Sequence, residues 1–171
     1  IGCIIGMERR LREQVSAVGG DMAMRHGIIL AKSIPAKKYR IQTGESILEA
    51  KQKCPNLILV PPNYGLYERC SKAFMGILQE YSPVVEQYSI DEAFVDMTGT
   101  ELLWGTPVEV AEKMRRQIKE RLGFTVNIGI SENKLLAKMA SDFQKPDRVH
   151  TLWKSELQKK MWPLPVSDCF L

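Results

Sequence analysis

Hydrophobic residues recur every three or four positions in two long stretches of the chain. The first stretch contains Leu66, Cys70, Phe74, Ile77 and Tyr81, and the second contains Val108, Ala111, Met114, Ile118 and Leu122. This spacing places apolar side chains on one face of a helix, so it predicts two amphipathic helices. Pro83 limits the first helix, and Pro107 can stand in the first turn of the second.

Other segments show the alternation that is typical of β-strands. Residues 124–130 alternate between apolar and polar side chains, which predicts a half-buried strand, and residues 84–97 predict a hairpin. The turn region of this hairpin contains Asp91 and Glu92. Weaker patterns predict helices at about residues 133–143 and 155–161 and a short strand near Val149.

The first third of the chain predicts shorter elements. Residues 15–18 and 28–31 indicate two strands, residues 44–54 indicate a helix that Pro55 ends, and residues 57–60 indicate a third strand. Pro61 and Pro62 then exclude both a continuous helix and a central strand, because they lack amide donors. We therefore predict two subdomains, residues 1–63 and 64–171.

The order of the predicted elements indicates the fold class. In residues 64–171 a helix, a hairpin, a helix, a strand and a helix follow one another, which predicts an α+β fold with an antiparallel sheet covered by helices on one face. Residues 1–63 predict a small α/β subdomain.

Composition places the chain among globular proteins. Hydrophobic residues make up 44% and charged residues 26% of the 171 residues. No apolar run approaches the roughly 20 residues of a bilayer-spanning helix, so we expect no membrane partner. The four cysteines form no Cys-x-x-Cys pair and there are two histidines, which favours reduced thiols over a structural zinc site. Such cysteine usage is typical of a reducing compartment, so we expect a cytoplasmic location.

The net charge of +4 is distributed unevenly. Residues 1–63 contain ten Lys and Arg against five Asp and Glu, whereas residues 64–171 contain 14 against 15. A basic subdomain beside a nearly neutral one suits an anionic partner such as a nucleic acid or a nucleotide. A solvated, lysine-rich surface explains the same composition.

Two adjacent carboxylates, Asp91 and Glu92, are the first candidate for chemistry. If the hairpin buries them together, they need a neutralising cation. Magnesium suits this pair, because it takes one or two protein carboxylates together with phosphate oxygens. The alternative is a pair of solvated acids at the end of a hairpin.

Two basic segments are further candidates. Residues 32–40 contain four cations and the hydroxyl of Ser33, which together could hold a triphosphate. In the predicted helix near residue 133, which Ser131 can cap, Lys134 and Lys138 lie one turn apart, and Lys145 follows. Both segments could equally be solvated surfaces.

These features occur together and in order, and they resemble the palm and fingers of Y-family translesion DNA polymerases, of the DNA polymerase IV type. The most specific strings are Ser89-Ile90-Asp91-Glu92-Ala93-Phe94 and Gly129-Ile130-Ser131…Asn133-Lys134…Ala137-Lys138…Ala140-Ser141-Asp142, followed by Lys145-Pro146. Ala31-Lys32-Ser33 and Pro35-Ala36-Lys37-Lys38-Tyr39 match in the basic subdomain. The resemblance covers residues 18–164.

The resemblance implies template-directed DNA synthesis past damaged bases. In this family a primer 3′-hydroxyl attacks the α-phosphate of a dNTP with two magnesium ions, for which manganese can substitute. Residues 1–63 would be the fingers and residues 64–171 a palm truncated before the thumb. The implied roles are catalysis and metal binding for Asp91 and Glu92, nucleotide binding for Ser33, Lys37 and Lys145, and DNA binding for Lys134 and Lys138. The implied partners are primer–template DNA, dNTP and, through family segments outside this chain, a sliding clamp.

Departures from the family pattern set further expectations. The family's first catalytic Asp and its ribose-sensing aromatic precede residue 1, and its thumb and little finger follow residue 171, so we expect this chain alone to extend primers barely or not at all. A family Tyr that touches the triphosphate is Ile34 here, and a family Gly is Arg40.

Two other functions remain open. One is a non-catalytic remnant that binds nucleic acid or protein. The other is a nucleotidyl cyclase, which fits the adjacent carboxylates but not the Asn133-Lys134 helix string.

Overall fold

A computed structural model describes residues 11, 13–20 and 27–165, and the chain divides into two units, Ile1–Arg69 and Cys70–Leu171. The division falls a few residues after the boundary that the proline pair predicts. The assignment of the two parts to fingers and palm remains a prediction.

Three short strands form the sheet of the first unit. They are β1 (Ser16–Gly19), β2 (Ile29–Lys32) and β3 (Ile58–Val60), in the order β2-β1-β3. Strand β1 pairs with β2 antiparallel and with β3 parallel. All three predicted strands are confirmed to within two residues. The predicted turn between β1 and β2 includes Asp21, which lies outside the described residues.

Two helices, α1 (Ile34–Lys37) and α2 (Ile47–Lys53), cover this sheet with a small apolar core. The buried side chains of the core are Ala17, Ile29, Ala36, Ile41, Ala50, Cys54 and Leu57. Helix α2 begins three residues later than predicted, because Ser46 and Glu49 form a reciprocal capping box at its N-terminus.

The second part of the chain contains most of the helical structure. Its elements are α3 (Tyr64–Gln79), β4 (Val85–Gln87), β5 (Ala93–Val95), α4 (Glu101–Trp104), α5 (Pro107–Leu122), β6 (Ile128–Ile130), α6 (Lys134–Asp142), β7 (Val149–Thr151), a 3-10 turn (Lys154–Glu156) and α7 (Leu157–Lys160). The two long helices, the hairpin and the α+β class are therefore confirmed.

Helices α3 and α5 supply the larger core. The buried residues are Phe74, Met75, Ile77, Leu78, Tyr81, Val110, Met114 and Ile118, which include five of the ten positions of the predicted apolar faces. Val85, Ala93 and Val95 of the hairpin pack against this cluster. The packing fixes β4 and β5, and thereby the connection between them that carries Asp91 and Glu92.

Strands β6 and β7 pair in parallel, whereas the sequence predicted an antiparallel sheet. The reason is that helix α6 connects them, and a crossover of this kind returns the chain in the same direction. Only the last three residues of the predicted strand 124–130 are paired. Helix α6 lies so close to β6 that a Cβ atom on Gly129 would come within 1.9 Å of the Ala137 carbonyl oxygen.

Two expectations from composition can be compared with the described residues. Within residues 11, 13–20 and 27–165, the helices are too short or too polar to cross a membrane. Cys54 and Cys70 are free thiols, whereas Cys3 and Cys169 lie outside the described residues.

Candidate active site

Asp91 and Glu92 lie in the connection between strands β4 and β5. The backbone amides of Tyr88 and Ser89 donate to the Glu92 carbonyl oxygen at 2.9 and 3.1 Å, which closes the hairpin. The Ser89 hydroxyl donates to Asp91 Oδ1 at 3.0 Å. Asp91 is exposed and Glu92 is half-buried, so the fold presents the two carboxylates at a hairpin end and does not bury them together.

Helix α6 provides a cation for the second carboxylate. Lys138 Nζ donates to Glu92 Oε1, and the Lys138 side chain is only 17% exposed. Burial acts to lower the pKa of this lysine. The hydrogen bond to Glu92 and the charges of Asp142, Glu92 and Asp91 outweigh burial and raise the pKa above its usual value. Lys138 is therefore a positive charge at neutral pH that pairs with Glu92 and interacts electrostatically with Asp91.

The same helix extends this ion pair into a row of alternating charges. Asp142 Oδ2 lies 3.8 Å from Lys138 Nζ, and Asp142 Oδ1 lies 2.6 Å from Lys145 Nζ. The row Glu92–Lys138–Asp142–Lys145 thus brings together three residues that the sequence singled out. We did not assign a role to Asp142 from the sequence. Its spacing of four residues from Lys138 and three from Lys145 is the sequence signal that could have identified it.

Lys145 stands in a loop that is held at both ends. The Asn127 side-chain amide donates to the carbonyl oxygens of Ser141 and Gln144 at 3.0 and 2.8 Å. The Asn127 side-chain oxygen Oδ1 accepts from the Arg148 backbone amide at 3.2 Å. One side chain on the approach to β6 therefore fixes the backbone around Lys145.

Helix α5 holds the same loop through Asp147. Arg115 Nη1 and Lys119 Nζ lie 2.6 and 2.7 Å from the two carboxylate oxygens of Asp147. The hydrogen bond from Lys119, then that from Arg115, and both charges lower the pKa of Asp147 against a smaller opposing effect of burial. Asp147 is thus a fixed anion that anchors the loop.

Lys134 is the most exposed of the lysines on α6 that the sequence singled out. It forms an ion pair with Glu86 of β4, and its ammonium lies 5.8 Å from the centroid of the Phe94 ring. Tyr88 packs edge-on against Phe94 at 5.7 Å. The lysine and two aromatic rings therefore form one surface beside the hairpin. DNA binding by Lys134 and Lys138 remains a prediction.

In the first unit, the Ser33 hydroxyl forms hydrogen bonds within the fold. Its buried hydroxyl accepts from the Ser16 and Ala36 amides at 3.1 and 3.3 Å and donates to the Gln14 carbonyl at 2.8 Å. One donor and two acceptor positions are the whole capacity of a hydroxyl. This arrangement favours a role for Ser33 in capping α1, and nucleotide binding by Ser33 remains a prediction.

Lys37 is exposed in the last turn of α1, and among the described residues it has no ion pair. Ile34, at the position of the family's tyrosine, is 69% exposed at the start of the same helix. Arg40 has a backbone φ of 56°, the left-handed conformation that favours glycine. This conformation explains why a glycine suits the position in the family.

One predicted cap is wrong. Asn133, not Ser131, is the N-cap of α6, and its side chain accepts from the Leu136 amide at 2.9 Å. The Ser131 hydroxyl donates instead to the Leu152 carbonyl at 2.5 Å. Ser131 therefore links the end of β6 to the end of β7, and the side chain of Asn133 caps the helix.

The donor set at the hairpin suits a hard divalent cation. Asp91 and Glu92 offer carboxylate oxygens, which magnesium and manganese accept as ligands. Within the described ranges no group of three or more His, Cys, Asp or Glu side chains could enclose a metal ion. The pair therefore fits a cation that takes its remaining ligands from phosphate oxygens and water.

Comparisons with known proteins agree with these observations. A model of the impB/mucB/samB family matches residues 2–142. Among curated proteins, DNA polymerase IV of Clostridium acetobutylicum is 49% identical over 166 residues, which are 97% of this chain and 42% of that protein. DNA polymerase IV of Clostridium kluyveri is 46% identical over 151 residues, 88% of this chain and 38% of that protein. The chain thus spans about two fifths of the length of these relatives.

Solved structures are similar as well. The structure of DinB from Sulfolobus solfataricus has a TM-score of 0.84 at 27% identity, over 95% of this chain and 48% of that chain. An insertion ternary complex of Dbh DNA polymerase has a TM-score of 0.84 at 26% identity, over 96% of this chain and 48% of that chain.

Proposed function

Because this chain belongs to the impB/mucB/samB family, we propose that it carries the nucleotidyl-transfer site of a template-directed DNA polymerase that copies past damaged bases. Asp91 and Glu92 are its metal-binding carboxylates, and Lys37 and Lys145 bind the triphosphate. The proposed substrates are dNTP and primer–template DNA, and the proposed location is the cytoplasm.

One observation carries this proposal. The exposed Asp91 adjoins Glu92, the first member of the charge row Glu92–Lys138–Asp142–Lys145, so two carboxylates and the exposed ammonium of Lys145 are held on one unit by a continuous row of ion pairs. Metal ions and polyphosphates both need such groups held in advance, since ordering them at binding costs free energy.

Magnesium, or manganese in its place, would bind to Asp91 and Glu92 together with phosphate oxygens and would supply positive charge at the reacting phosphate. In the proposed reaction the primer 3′-hydroxyl attacks the α-phosphate, and pyrophosphate leaves. Lys138 holds Glu92 in position through its hydrogen bond. Lys145 and Lys37 stabilise the charge of the β- and γ-phosphates.

The solved relatives support the choice of substrates. One is described as an insertion ternary complex and another as a post-insertion binary complex of Dbh DNA polymerase. For this chain DNA and dNTP are proposals, and so is the choice of magnesium over other divalent cations. Lys134 is the proposed contact to DNA phosphates, whereas Lys138, for which the sequence predicted the same role, is largely buried and pairs with Glu92.

Calorimetric titration of manganese in the presence of dGTP tests the proposal. We expect the wild-type chain to bind manganese weakly and Asp91→Asn to lose most of the heat, because the neutral amide is a poor ligand. Asp96→Asn is the control, because Asp96 directly follows strand β5 of the same hairpin and its carboxylate accepts hydrogen bonds from the Thr98 hydroxyl and amide at 2.6 and 2.9 Å. Equal heats from all three proteins would contradict the assignment.

A non-catalytic nucleic-acid-binding module is the alternative. It predicts DNA binding that does not change with manganese, dGTP or Asp91→Asn. Fluorescence anisotropy of a labelled primer–template duplex distinguishes the two functions, because only the polymerase site requires DNA binding to respond to nucleotide and metal.

A further inference from the structure

Asp142 is the only acidic side chain within ion-pair distance of both Lys138 and Lys145 in the part of the chain that the structure describes. Its Oδ1 lies 2.6 Å from Lys145 Nζ, and its Oδ2 lies 3.8 Å from Lys138 Nζ. The Asp142 and Lys145 side chains are 40% and 52% exposed, so an anionic ligand in solution can reach the pair.

We propose that Asp142 is a positioning residue that holds the Lys145 ammonium in the nucleotide-free protein and releases it to the triphosphate when a nucleotide binds. This inference rests on the proposed function and adds that the Lys145 ammonium exchanges one partner, Asp142, for another, the triphosphate. In the free protein the Asp142 carboxylate occupies the place that a phosphate oxygen takes in the complex.

The surroundings of Lys145 permit such an exchange without a change in the backbone. Asn127 fixes the loop on both sides of the lysine, at the Gln144 carbonyl and the Arg148 amide. The four-carbon lysine side chain can therefore move alone. A triphosphate presents more negative charge and more acceptors than one carboxylate, so it competes successfully for the ammonium.

Asp142 keeps a cation after Lys145 has moved. Lys138 stays beside it, held by Glu92 and largely buried at 17% exposure. Because the second lysine neutralises Asp142, the exchange leaves no isolated carboxylate beside the bound phosphates. Lys138 therefore reduces the repulsion that would otherwise oppose nucleotide binding.

The exchange predicts that Asp142 weakens nucleotide binding by competition. Breaking an exposed ion pair of this kind corresponds to a change in affinity of about two- to fivefold. Asp142→Asn removes the competing charge and keeps the shape of the side chain. We therefore expect this variant to bind dGTP about two- to fivefold more tightly, and Asp142→Glu to restore competition.

The test measures the dissociation constant of dGTP with magnesium, without DNA, for the full chain. The proteins compared are the wild type, Asp142→Asn, Lys145→Ala and the double variant. If Asp142 acts through Lys145, Asp142→Asn tightens binding in the wild-type background and has no effect in the Lys145→Ala background. Glu80→Gln is the matched control, because Glu80 also pairs with a cation, Arg121, at 2.6 Å and similar exposure.

A second readout follows Lys145 itself. The ¹⁵N resonance of its ammonium group should shift in Asp142→Asn relative to wild type in the free protein. At saturating dGTP the two resonances should coincide, because in both proteins the lysine then has the triphosphate as its partner. Thermal unfolding of each variant shows that it is folded.

The outcomes separate this inference from the proposed function. Equal tightening with and without Lys145 indicates a general charge effect and overturns the inference, as does unchanged or weaker dGTP binding by Asp142→Asn. Either result leaves the proposed function standing, provided that wild type binds dGTP and Lys145→Ala binds it less well. A wild-type chain that does not bind dGTP overturns both.

Discussion

Lys138 and Glu92 are 46 residues apart in the sequence, and their ion pair joins helix α6 to the hairpin connection that carries both candidate catalytic carboxylates. Through this pair, the helix that positions Lys145 and the hairpin that positions Asp91 become one charged surface. The sequence left open that the two aligned lysines of α6 form only a solvated surface, but Lys138 instead contacts Glu92.

Removing the ammonium should destabilise this unit. In Lys138→Met the half-buried Glu92 loses its charged hydrogen-bond partner, and we expect the free energy of unfolding to fall by about 1 kcal/mol. Lys134→Met is the matched control on the same helix. Because Lys134 is exposed, its replacement should lower the free energy of unfolding by no more than about 0.5 kcal/mol. Urea unfolding at neutral pH measures both, and equal losses would contradict the importance of the Lys138–Glu92 pair.

The loop around Lys145 should have an acid-sensitive anchor. Lys119 and Arg115 hold the pKa of Asp147 below its usual value, so the stabilisation is complete above the unfolded-state pKa of about 3.9 and is lost as the pH falls through the lower folded-state pKa. At pH 7 we expect Asp147→Asn to cost about 1 kcal/mol in the free energy of unfolding.

The difference between wild type and Asp147→Asn should therefore stay constant from pH 7 to about pH 5 and shrink below about pH 4. Urea unfolding across this range measures it. A difference that grows on acidification would have the wrong sign for a carboxylate whose pKa is lowered by folding.

Gly129 should tolerate no side chain. A Cβ atom there would lie 1.9 Å from the Ala137 carbonyl oxygen and 2.5 Å from the Ser141 amide nitrogen, so β6 and α6 would have to separate. We expect Gly129→Ala to destabilise the chain by more than about 2 kcal/mol.

The control for Gly129 is Gly76→Ala in helix α3. A Cβ atom at Gly76 meets no atom within 4 Å, and alanine favours the helix, so we expect a gain of about 0.5–1 kcal/mol. Thermal or urea unfolding of the two variants should give opposite signs. The same sign for both would show that the close approach of α6 to β6 is not what excludes a side chain.

Replacing Arg40 with glycine should increase the stability of the protein. Its φ of 56° is unfavourable for a residue with a Cβ atom, by about 1–2 kcal/mol, and the loss of chain entropy by glycine cancels part of the gain. We expect Arg40→Gly to stabilise the chain by up to about 1 kcal/mol. Lys38→Gly, at a right-handed position with φ −61°, should destabilise it. Urea unfolding that gives the same loss for both variants would contradict the role of the left-handed conformation.

Local patterns in the sequence predicted the helices and strands better than they predicted the contacts between them. The periodicity at Leu66–Tyr81 and Val108–Leu122 predicted the faces of α3 and α5, because burial of one face requires that spacing. The antiparallel prediction was wrong for β7, although the helix predicted between residues 124–130 and the strand near Val149 already indicated a parallel pair, because a helical crossover returns the chain in the same direction.

The candidate site shows the same limit. The chemistry of the side chains and the family strings singled out four residues, Asp91, Glu92, Lys138 and Lys145. Which of them contact one another could not be predicted, because that depends on helix α6 lying against the hairpin. The sequence analysis gave Asp142 no role although its spacing from two lysines allowed ion pairs, and its distances to both lysines in the structure give it one. Ser33 shows the reverse, because the sequence offers a free hydroxyl that the fold uses in three hydrogen bonds.

Single-nucleotide incorporation onto a primed template tests the central claim most directly. The wild type in this experiment is a chimera in which this chain replaces the matching two fifths of the DNA polymerase IV of Clostridium acetobutylicum, and it is compared with its Asp91→Asn and Asp96→Asn variants in magnesium and in manganese. We predict template-dependent incorporation by wild type and by Asp96→Asn, and a loss of at least about a hundredfold in Asp91→Asn, because the amide cannot replace a carboxylate ligand of the metal. Incorporation by Asp91→Asn at the wild-type rate would contradict the assignment of this hairpin as the catalytic site.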